Sequence, residues 1–459
     1  MKKILALLLA ALMVLSLAAC GGNGGNESKA PETTKATEKE TEKETEKQTE
    51  KETEKETETE PGGEVGGSIE MEVTFADENL EKFRAIVADF EKESGVTVDI
   101  VAPGNDYETA MKTRMGGNDL PDVWMTHGWS VIRYSEYLLP LTGYTDIKDA
   151  MDDSVFGVIN NDKGDFFCAC VTESVSGLMY NADTLADCGI DPYDLGTLDK
   201  LEAAMAKAKE KGYIPLYIGG SVSGNNAGFL GSLMPSMQTD EGCANPQGDN
   251  LRAGTYDWDK DGVEVLSKLA EWVKNGWVND NVLTATTEEM QTALGEGKCA
   301  FVFRGANNIT MARNYVPDCN VSIVPIPNSG TGAPTYKIGE GCTFAIWKDT
   351  QNLEGALAWL RFTCRPEICS RIAAIEGNIP SIKGAEVEDN YAIDQFHLSQ
   401  EKLANISYDN VFDRKYFPSG MWGTMGNAVA TVLDDPTETG IQAAKDELKE
   451  QYFLLLEQQ

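Results

Sequence analysis

The sequence predicts an α/β fold built on a mainly parallel sheet. Strand-like and helix-like segments alternate between residues 70 and 141, which is the pattern of a doubly wound sheet with helices on its faces. The strand-like runs are short and apolar, and the helical segments carry their apolar residues on one face. A chain of 459 residues is too long for a single core, so we expect two or three domains.

The first elements are a strand at 70–75 and a helix after an acidic turn. Leu80, Phe83 and Phe90 recur at helical spacing and mark one apolar face. Gly95 stands where a helix can end in the left-handed backbone conformation that glycine tolerates. These residues predict a helix that ends at Gly95.

Two further strands follow with a helix between them. Residues 97–101 alternate β-branched and polar side chains, 107–115 form a helical segment, and 122–125 form a short apolar run of the kind a buried parallel strand needs. In an open α/β sheet, ligands bind in the crevice outside the carboxyl ends of the strands. The loops after these strands are therefore candidate binding loops.

Four side chains in these loops are candidate ligand contacts. His127 and Trp129 follow the third strand and offer a hydrogen-bond donor and a flat aromatic face. Asp77 and Glu78 lie in the loop after the first strand and face the same crevice. Trp129 could instead pack in the core, and the two acids could be ordinary surface carboxylates in an acidic chain.

The amino terminus has the features of an export signal. Lys2 and Lys3 precede an apolar run from Ile4 to Ala19, which is too short to span a membrane as a helix. A cysteine directly after Leu-Ala-Ala resembles the bacterial lipobox, which implies cleavage after residue 19 and lipidation of Cys20. We expect an extracytoplasmic protein held at the cell membrane by this lipid alone; the alternative is an ordinary signal peptide.

Residues 20–67 predict a disordered tether. Thr-Glu-Lys-Glu recurs from 37 to 57, and the segment has no apolar face to bury. The formal net charge of the chain is −35, and most of it belongs to the body beyond this tether. Such a surface repels nucleic acid and has no basic stripe for a phosphate backbone, so nucleic-acid binding is excluded.

The cysteines and histidines do not form a recognisable metal motif. The chain has ten cysteines, and an odd number remains if Cys20 carries lipid, so at least one of the others is unpaired. There is no C-x-x-C pair, and the two histidines, His127 and His397, lie far from any cysteine pair in sequence. We therefore expect no metal and no cofactor.

Residues 257–262 copy the first half of a calcium loop. The twelfth position is Lys268, where a bidentate glutamate belongs. Asp261 and Glu264 also fit a capping arrangement at the start of a helix. Both interpretations remain open from the sequence.

Eight stretches of the body follow one known family in order and spacing: FEKESGVTVDI (90–100), PDVW (121–124), SGLMYNADTLADCGI (176–190), ALGEGKCAFVFRGANN (293–308), SIVPIPN (322–328), GEGCTFAIWKDTQNLEGALAWLRF (339–362), GNIPS (377–381) and PSGMWGTMGNAV (418–429). They resemble the extracellular solute-binding protein family 1, the maltose-binding-protein-like sugar-binding lipoproteins of ABC importers. The resemblance covers nearly all of the chain from about residue 70.

The resemblance implies a two-lobe periplasmic-binding-protein-like fold of type II. Each lobe is expected to be a mainly parallel sheet flanked by helices, with crossings near Glu173, Asn320 and Pro366 that let the lobes hinge. The implied domains are a signal peptide at 1–19, the tether at 20–67, an N-lobe at 68–172 and 321–366, and a C-lobe at 173–320 and 367–459.

Further ligand contacts are expected beyond the first loops, several of them from the resemblance. Trp422 occupies the position of a stacking aromatic, with packing in the core as the alternative, and aromatic faces bury the C–H faces of a sugar. Glu173 matches a carboxylate that binds sugar hydroxyls, with a structural role in the hinge as the alternative. Further candidates follow strands or glycines: Asn225, Arg304, Asn307 and Glu340.

The function implied is binding without catalysis. The protein would capture an oligosaccharide between its lobes and deliver it to the transmembrane subunits of an ABC permease, as a monomer. The alternatives are an exported glycosidase, for which Glu173 with Asp77 or Glu78 could supply the two carboxylates, or a sensor or adhesin with the same fold.

Overall fold

The structure is a computed structural model that describes residues 65–104, 107–126, 134–161, 163–238, 246–329, 333–388, 390–410, 416–418 and 420–457. The signal peptide, most of the tether, Cys20, His127 and Trp129 lie outside the described residues.

The strands are β1 Ser68–Glu72, β2 Thr97–Val101, β3 Val123–Met125, β4 Cys168–Cys170, β5 Thr172–Asn181, β6 Ile214–Leu216, β7 Cys299–Gly305, β8 Val321–Val324, β9 Thr335–Glu340, β10 Thr343–Ile346, β11 Ile379–Pro380 and β12 Ser407–Asn410. The helices are α1 Asp77–Ser94, α2 Tyr107–Gly117, α3 Thr145–Ala150, α4 Phe156–Ile159, α5 Ala182–Cys188, α6 Leu198–Glu210, α7 Ser223–Gln238, α8 Pro246–Arg252, α9 Val263–Lys274, α10 Thr287–Gly295, α11 Asn307–Tyr315, α12 Leu353–Thr363, α13 Pro366–Glu376, α14 Tyr391–Lys402, α15 Met421–Asp434 and α16 Glu438–Leu456.

The first sheet has the strand order β2-β1-β3-β10-β4. β1 pairs in parallel with β2 and β3, as expected for strands joined by the crossover helices α1 and α2. β10 is antiparallel to both of its neighbours. The helix α1 ends as the sequence predicts, because Gly95 takes φ 71° and its N–H donates to the Glu91 carbonyl.

The second sheet is centred on β5, which is antiparallel to β7, β8, β9 and β11. β6 runs parallel to β7, and β12 runs parallel to β9. In the described part of each sheet, one strand therefore runs against the others: β10 in the first and β5 in the second. The prediction of two mainly parallel sheets is confirmed in this sense.

The chain crosses between the sheets in nearly continuous strands, and this explains the two reversed strands. Val171 alone separates β4 from β5, and Gly341 and Cys342 alone separate β9 from β10. β4 follows the majority direction of the first sheet, and β5 continues that direction into the second sheet, where it runs against the other strands. β9 and β10 do the same in the opposite sense. A third crossing lies at residues 377–382, where β11 pairs with β5 and Ile382 packs in the core of the first sheet. We call these three crossings the hinge.

Hydrogen bonds at Thr172 join the hinge segments. The N–H of Gly341 donates to the Thr172 carbonyl (2.7 Å), and the N–H of Cys342 donates to its hydroxyl (2.7 Å). That hydroxyl in turn donates to Oε2 of Glu376 (2.7 Å). The three crossings therefore form one bonded unit.

The strand pairing differs from the predicted lobe boundaries. β8 and β9 pair with β5, so residues 321–340 join the second sheet, and the chain returns to the first sheet only after Glu340. Helix α13 packs its Ile368 and Ile372 in the first core, so this crossing follows Glu376 and not Pro366. An apolar run such as 321–324 shows that a strand is buried, but it does not show which sheet buries it.

Each sheet has its own apolar core. Phe83, Phe344 and Trp359 pack in the first, and Phe229, Trp272 and Phe303 pack in the second. The cysteines of the described chain are free thiols, and all except Cys188 are buried. Burial raises their pKa values, as at Cys299, so they behave as small apolar side chains.

Candidate functional site

We call the parts of the chain built on the first and second sheets the first and second lobes. A pocket of about 220 Å³ opens on the second lobe, at the ends of its central strands. Serine, asparagine, basic and aromatic side chains line it together with three glycines: Ser174, Ser176, Gly228, Gly231, Ser232, Phe303, Arg304, Gly305, Asn307, Asn308, Lys337 and Trp422. A mostly polar wall with one exposed aromatic face suits a polar ligand that also has an apolar face.

Three neighbouring strands supply the floor of the pocket. Ser176 of β5 stands opposite Lys337 of β9 on one side and Gly305 of β7 on the other. Ser174 lies two residues before Ser176 and therefore faces the same way. Asn307 opens helix α11 directly after β7, so the wall forms at the end of a strand, as the sequence predicts for this region.

Trp422 forms the apolar side of the pocket. It is the second residue of α15 and is 39% exposed. Its indole lies over α7, where a Cβ on Gly224 or Gly228 would stand 3.8 Å from the ring. Because these two positions carry no side chain, the indole can lie close to the helix and keep one face open.

The close approach of α15 to α7 sets the place of Trp422. A Cβ on Gly426 would stand 2.2 Å from Oγ of Ser223, so only glycine fits between the helices there. Gly420 precedes α15 with φ 105°, a conformation that favours glycine. The glycines around Trp422 thus serve helix packing and the turn before the helix.

Arg304 is the cation of the pocket with the weakest pairing. Its Nε donates to Oδ1 of Asn308 and its Nη1 donates to the Gly224 carbonyl, both at 3.4 Å. No carboxylate of the described chain forms an ion pair with it. Part of the side chain is accessible through the pocket, yet the surrounding protein lowers its pKa by desolvation.

Lys337, in contrast, has a buried acid beside it. Its Nζ donates to Oδ2 of Asp409 at 3.2 Å, and both side chains are almost fully buried. Asp409 also accepts from the hydroxyl of Tyr416 (3.3 Å). The charge of Lys337 is therefore balanced by the protein itself.

The two asparagines after β7 form a small amide network. Nδ2 of Asn308 donates to Oδ1 of Asn307 (2.8 Å), and Nε2 of Gln291 donates to Oδ1 of Asn308 (2.6 Å). This network fixes the orientation of Asn308 and holds Asn307 at the pocket wall.

The structure brings together three of the predicted contacts: Arg304, Asn307 and Trp422. Asn225 and Glu340 are buried elsewhere. Nδ2 of Asn225 donates to the Gly219 carbonyl (2.8 Å) and to Oγ1 of Thr287 (3.0 Å), so it braces a loop. Glu340 lies opposite Glu173 in the β5–β9 ladder, at the hinge.

Glu173 also lies at the hinge and not in the pocket. Oγ of Ser154, from the first lobe, donates to its Oε2 (3.1 Å), while its buried Oε1 has no hydrogen-bond partner in the described chain. Burial raises the pKa of Glu173 to about 7, and the neighbouring charge of Asp152 adds to this. The position fits the structural alternative for this residue.

Asp77 and Glu78 are exposed at the start of α1 and do not line the pocket. Glu78 pairs with Lys82 at 2.9 Å. Asp77 has a positive φ of 48°, which is uncommon for a residue other than glycine. The structure does not describe the other two candidates of the first lobe, His127 and Trp129.

Sequence reasoning missed several residues of the pocket wall. Ser174 and Ser176 alternate with Val175 and Gly177, a period-two pattern that places two hydroxyls on one face of a strand. That signal was present in the sequence. Nothing in the sequence pointed to Lys337, because its place depends on the register of β9 with β5.

In the calcium-like loop at 257–262, Asp259 binds lysine side chains. Oδ1 of Asp259 accepts from Lys445 (2.7 Å) and Oδ2 accepts from Lys449 (2.8 Å). The side chain of Asp257 caps the turn by accepting from the N–H of Lys260 (3.1 Å). The predicted cap by Asp261 is wrong, since Gly262 precedes α9 without a side-chain cap. In the described chain no cluster of three metal-binding side chains occurs.

Comparison with known proteins places this architecture in a family. A model described as bacterial extracellular solute-binding protein matches residues 85–396. The chain belongs to this family. The resemblance noted in the sequence is thereby confirmed, and the members of the family named below are described as binding proteins or transporters.

Several relatives of the solute-binding chain have recorded ligands. This chain is 30% identical to the melibiose/raffinose/stachyose-binding protein MelE of Bacillus subtilis, over 79% of this chain and 84% of the relative. A crystal structure of a sugar transporter from Bacillus licheniformis in complex with stachyose is 30% identical, with a TM-score of 0.72, and covers 84% of this chain and all of that one.

A structure of the binding protein msme from Bacillus subtilis, in an open conformation, is 28% identical, with a TM-score of 0.76, and covers 86% of this chain and 98% of that one. These matches confirm the two-lobe fold of the solute-binding chain. Among the described helices, none combines the length and apolar character that would let it cross a membrane.

Proposed function

We propose that this solute-binding protein captures an oligosaccharide and delivers it to the transmembrane subunits of an ABC importer. The observation that carries the proposal is the second-lobe pocket, where Trp422 presents an indole face beside a wall of hydroxyl, amide and basic groups. Sugars offer C–H faces for stacking and hydroxyls for hydrogen bonds, so the wall matches both. The sugars in the names of the relatives give the first ligands to test.

The two lobes supply the mechanism of capture. Three chain crossings that share hydrogen bonds at Thr172 can act as one hinge. Closure would bring the first-lobe loops over the sugar, which removes water and strengthens each polar contact. His127 and Trp129 remain our candidates for contacts from the first lobe.

Calorimetric titration of the mature protein with raffinose, stachyose and melibiose tests the proposal. We expect saturable binding of at least one, and a rise in melting temperature that grows with ligand concentration. Chromatography of the same mixtures should show intact sugar. Release of monosaccharides would instead support a glycosidase, and the absence of binding across a wider oligosaccharide panel would overturn carbohydrate capture.

We also propose that the chain is anchored through lipid at Cys20. Expression with labelled palmitate should label the wild-type protein, and Cys20→Ser should abolish the label and release the protein from the membrane fraction. Retention of the label in Cys20→Ser would contradict the anchor without affecting the proposal on sugar binding.

A further inference from the structure

The two cations that line the pocket differ in how the protein balances them. Lys337 lies 3.2 Å from Asp409, and both side chains are buried. Arg304 has no acidic partner in the described chain, and no aspartate or glutamate lines the pocket. An arginine cannot lose its proton at any physiological pH, so its charge is left for solvent or a ligand in the pocket to balance.

The hydrogen bonds of Arg304 leave most of its donors available. The acceptors in reach are the Gly224 carbonyl and Oδ1 of Asn308, each at 3.4 Å, which is long for a hydrogen bond. Oδ1 of Asn308 already accepts from Gln291 at 2.6 Å. The remaining N–H groups of the guanidinium have no acceptor in the described chain.

A neutral sugar would satisfy some of these donors but would leave the charge unbalanced. Hydroxyl oxygens accept hydrogen bonds without carrying a charge, and an unpaired ion in a closed pocket is costly. A carboxylate provides two parallel acceptors and the opposite charge, which matches the guanidinium fork. Ser176 also lines the pocket and can offer its hydroxyl to the bound sugar.

We infer that this pocket selects acidic oligosaccharides, with a uronic-acid carboxylate held by Arg304 and its sugar ring stacked on Trp422. The inference rests on the proposed carbohydrate function and narrows it to a chemical class. A Cβ on Gly228 would stand 3.3 Å from Nη1 of Arg304 and 3.8 Å from the indole, so the two groups flank the same surface of α7. One sugar ring can therefore contact both.

Matched sugar pairs test the inference. Melibiose and cellobiose would each be compared with the acid in which the terminal CH₂OH is replaced by a carboxylate. For at least one pair we expect the uronate to bind wild-type protein at least about tenfold more tightly than its parent, since charge-assisted hydrogen bonds are about twice as strong as neutral ones. The advantage should shrink at high salt.

Two variants then assign the effect to one side chain. Arg304→Gln keeps an amide donor but removes the charge, and should abolish the preference for the uronate. Arg361→Gln removes the same charge from a surface pair with Asp146 and should leave the preference intact. A preference retained by Arg304→Gln would overturn the assignment.

Failure of the two proposals can be told apart. If the parent sugars bind and neither uronate binds more tightly, acidic selectivity is overturned while carbohydrate capture stands. If no parent sugar, uronate or other oligosaccharide binds, both proposals are overturned together.

Discussion

The pocket and the hinge hold partly buried ionisable groups of opposite sign at neighbouring places along β5. The pocket holds Arg304, opposite Gly177 in the β5–β7 ladder, with no acid beside it. The hinge holds Glu173 on β5 and Glu376 bonded to Thr172, and neither forms an ion pair with a described lysine or arginine. Both regions thus partly bury a group without a counterion.

The difference lies in what each group can do about its burial. A carboxyl can take up a proton, and burial raises the pKa of both hinge glutamates, that of Glu173 to about 7. A guanidinium stays charged. The hinge glutamates can therefore become neutral by taking up protons, whereas Arg304 keeps a positive charge that a ligand can balance. Whether a partly buried group can become neutral therefore distinguishes a structural group from a binding group better than burial alone.

Removal of the indole should produce the largest effect on the pocket side. Trp422→Ala is expected to weaken binding of the preferred sugar about a hundredfold, because a stacked tryptophan contributes a large apolar contact area. The melting temperature without ligand should hardly change, since the side chain is 39% exposed. Calorimetry and thermal unfolding measure the two quantities. A large fall in the ligand-free melting temperature would show that the indole supports the core instead.

Helix packing beneath the pocket gives the next effect. Gly426→Ala places a methyl group 2.2 Å from Oγ of Ser223 and should lower the free energy of unfolding by about 1–3 kcal/mol, the usual cost of overpacking. Gly423→Ala in the same helix meets no atom within 4 Å and should be neutral or stabilising. Urea denaturation compares them. Equal stability of the two variants would contradict the close helix contact.

The pH dependence of stability tests the buried carboxyl group of Glu173 at the hinge. The pKa of Glu173 is raised from 4.5 to about 7, so the folded state binds more protons than the unfolded state between these values. Stability from this group is therefore present below about pH 4.5 and is lost as pH rises through about 7. Glu173→Gln should make the protein more stable than wild type at about pH 8 and should flatten this slope.

The matched control for the hinge is Glu78→Gln, at an exposed carboxylate, which should leave the pH profile unchanged. Thermal unfolding across the pH range measures all three proteins. A wild-type profile that does not fall between about pH 5 and about pH 8 would contradict the buried carboxyl at the hinge.

The ion pairs of the exposed Asp259 should give the smallest effect and serve as a baseline for both regions. Lys445 and Lys449 lower the pKa of Asp259 to about 2, so its contribution is present above about pH 4 and is lost as pH falls towards 2. Asp259→Asn should reduce the melting temperature only slightly at neutral pH, because Asp259 is exposed and Lys445 keeps its ion pair with Asp446. Thermal unfolding measures this change.

Calorimetric titration of the wild-type protein with calcium should give no heat of binding. A saturable heat of binding would restore the calcium interpretation of residues 257–262.

Particular residues show how much of the site could be predicted from the sequence. Trp422 was found from its place in a family pattern and Arg304 from its place at the end of a strand, and the structure puts both on one pocket. Asn225 followed two glycines just as Asn307 followed a strand, yet Asn225 turned inward to bond Gly219. Local pattern places a residue near a strand end, but the side-chain direction depends on which backbone groups need a partner there.

The sequence by itself determined many of the elements and the parallel start of the first sheet, because period, caps and turn residues are local properties of the chain. Gly95 illustrates this, since its position alone predicted the end of α1. Motifs in a fixed order determined the family. Only the tertiary structure decided that β8 and β9 belong with β5, that Lys337 meets Asp409, and that Arg304 meets no acid. Those facts depend on strand register and on distant residues meeting in space, and charge balance is a property of the whole neighbourhood of a group.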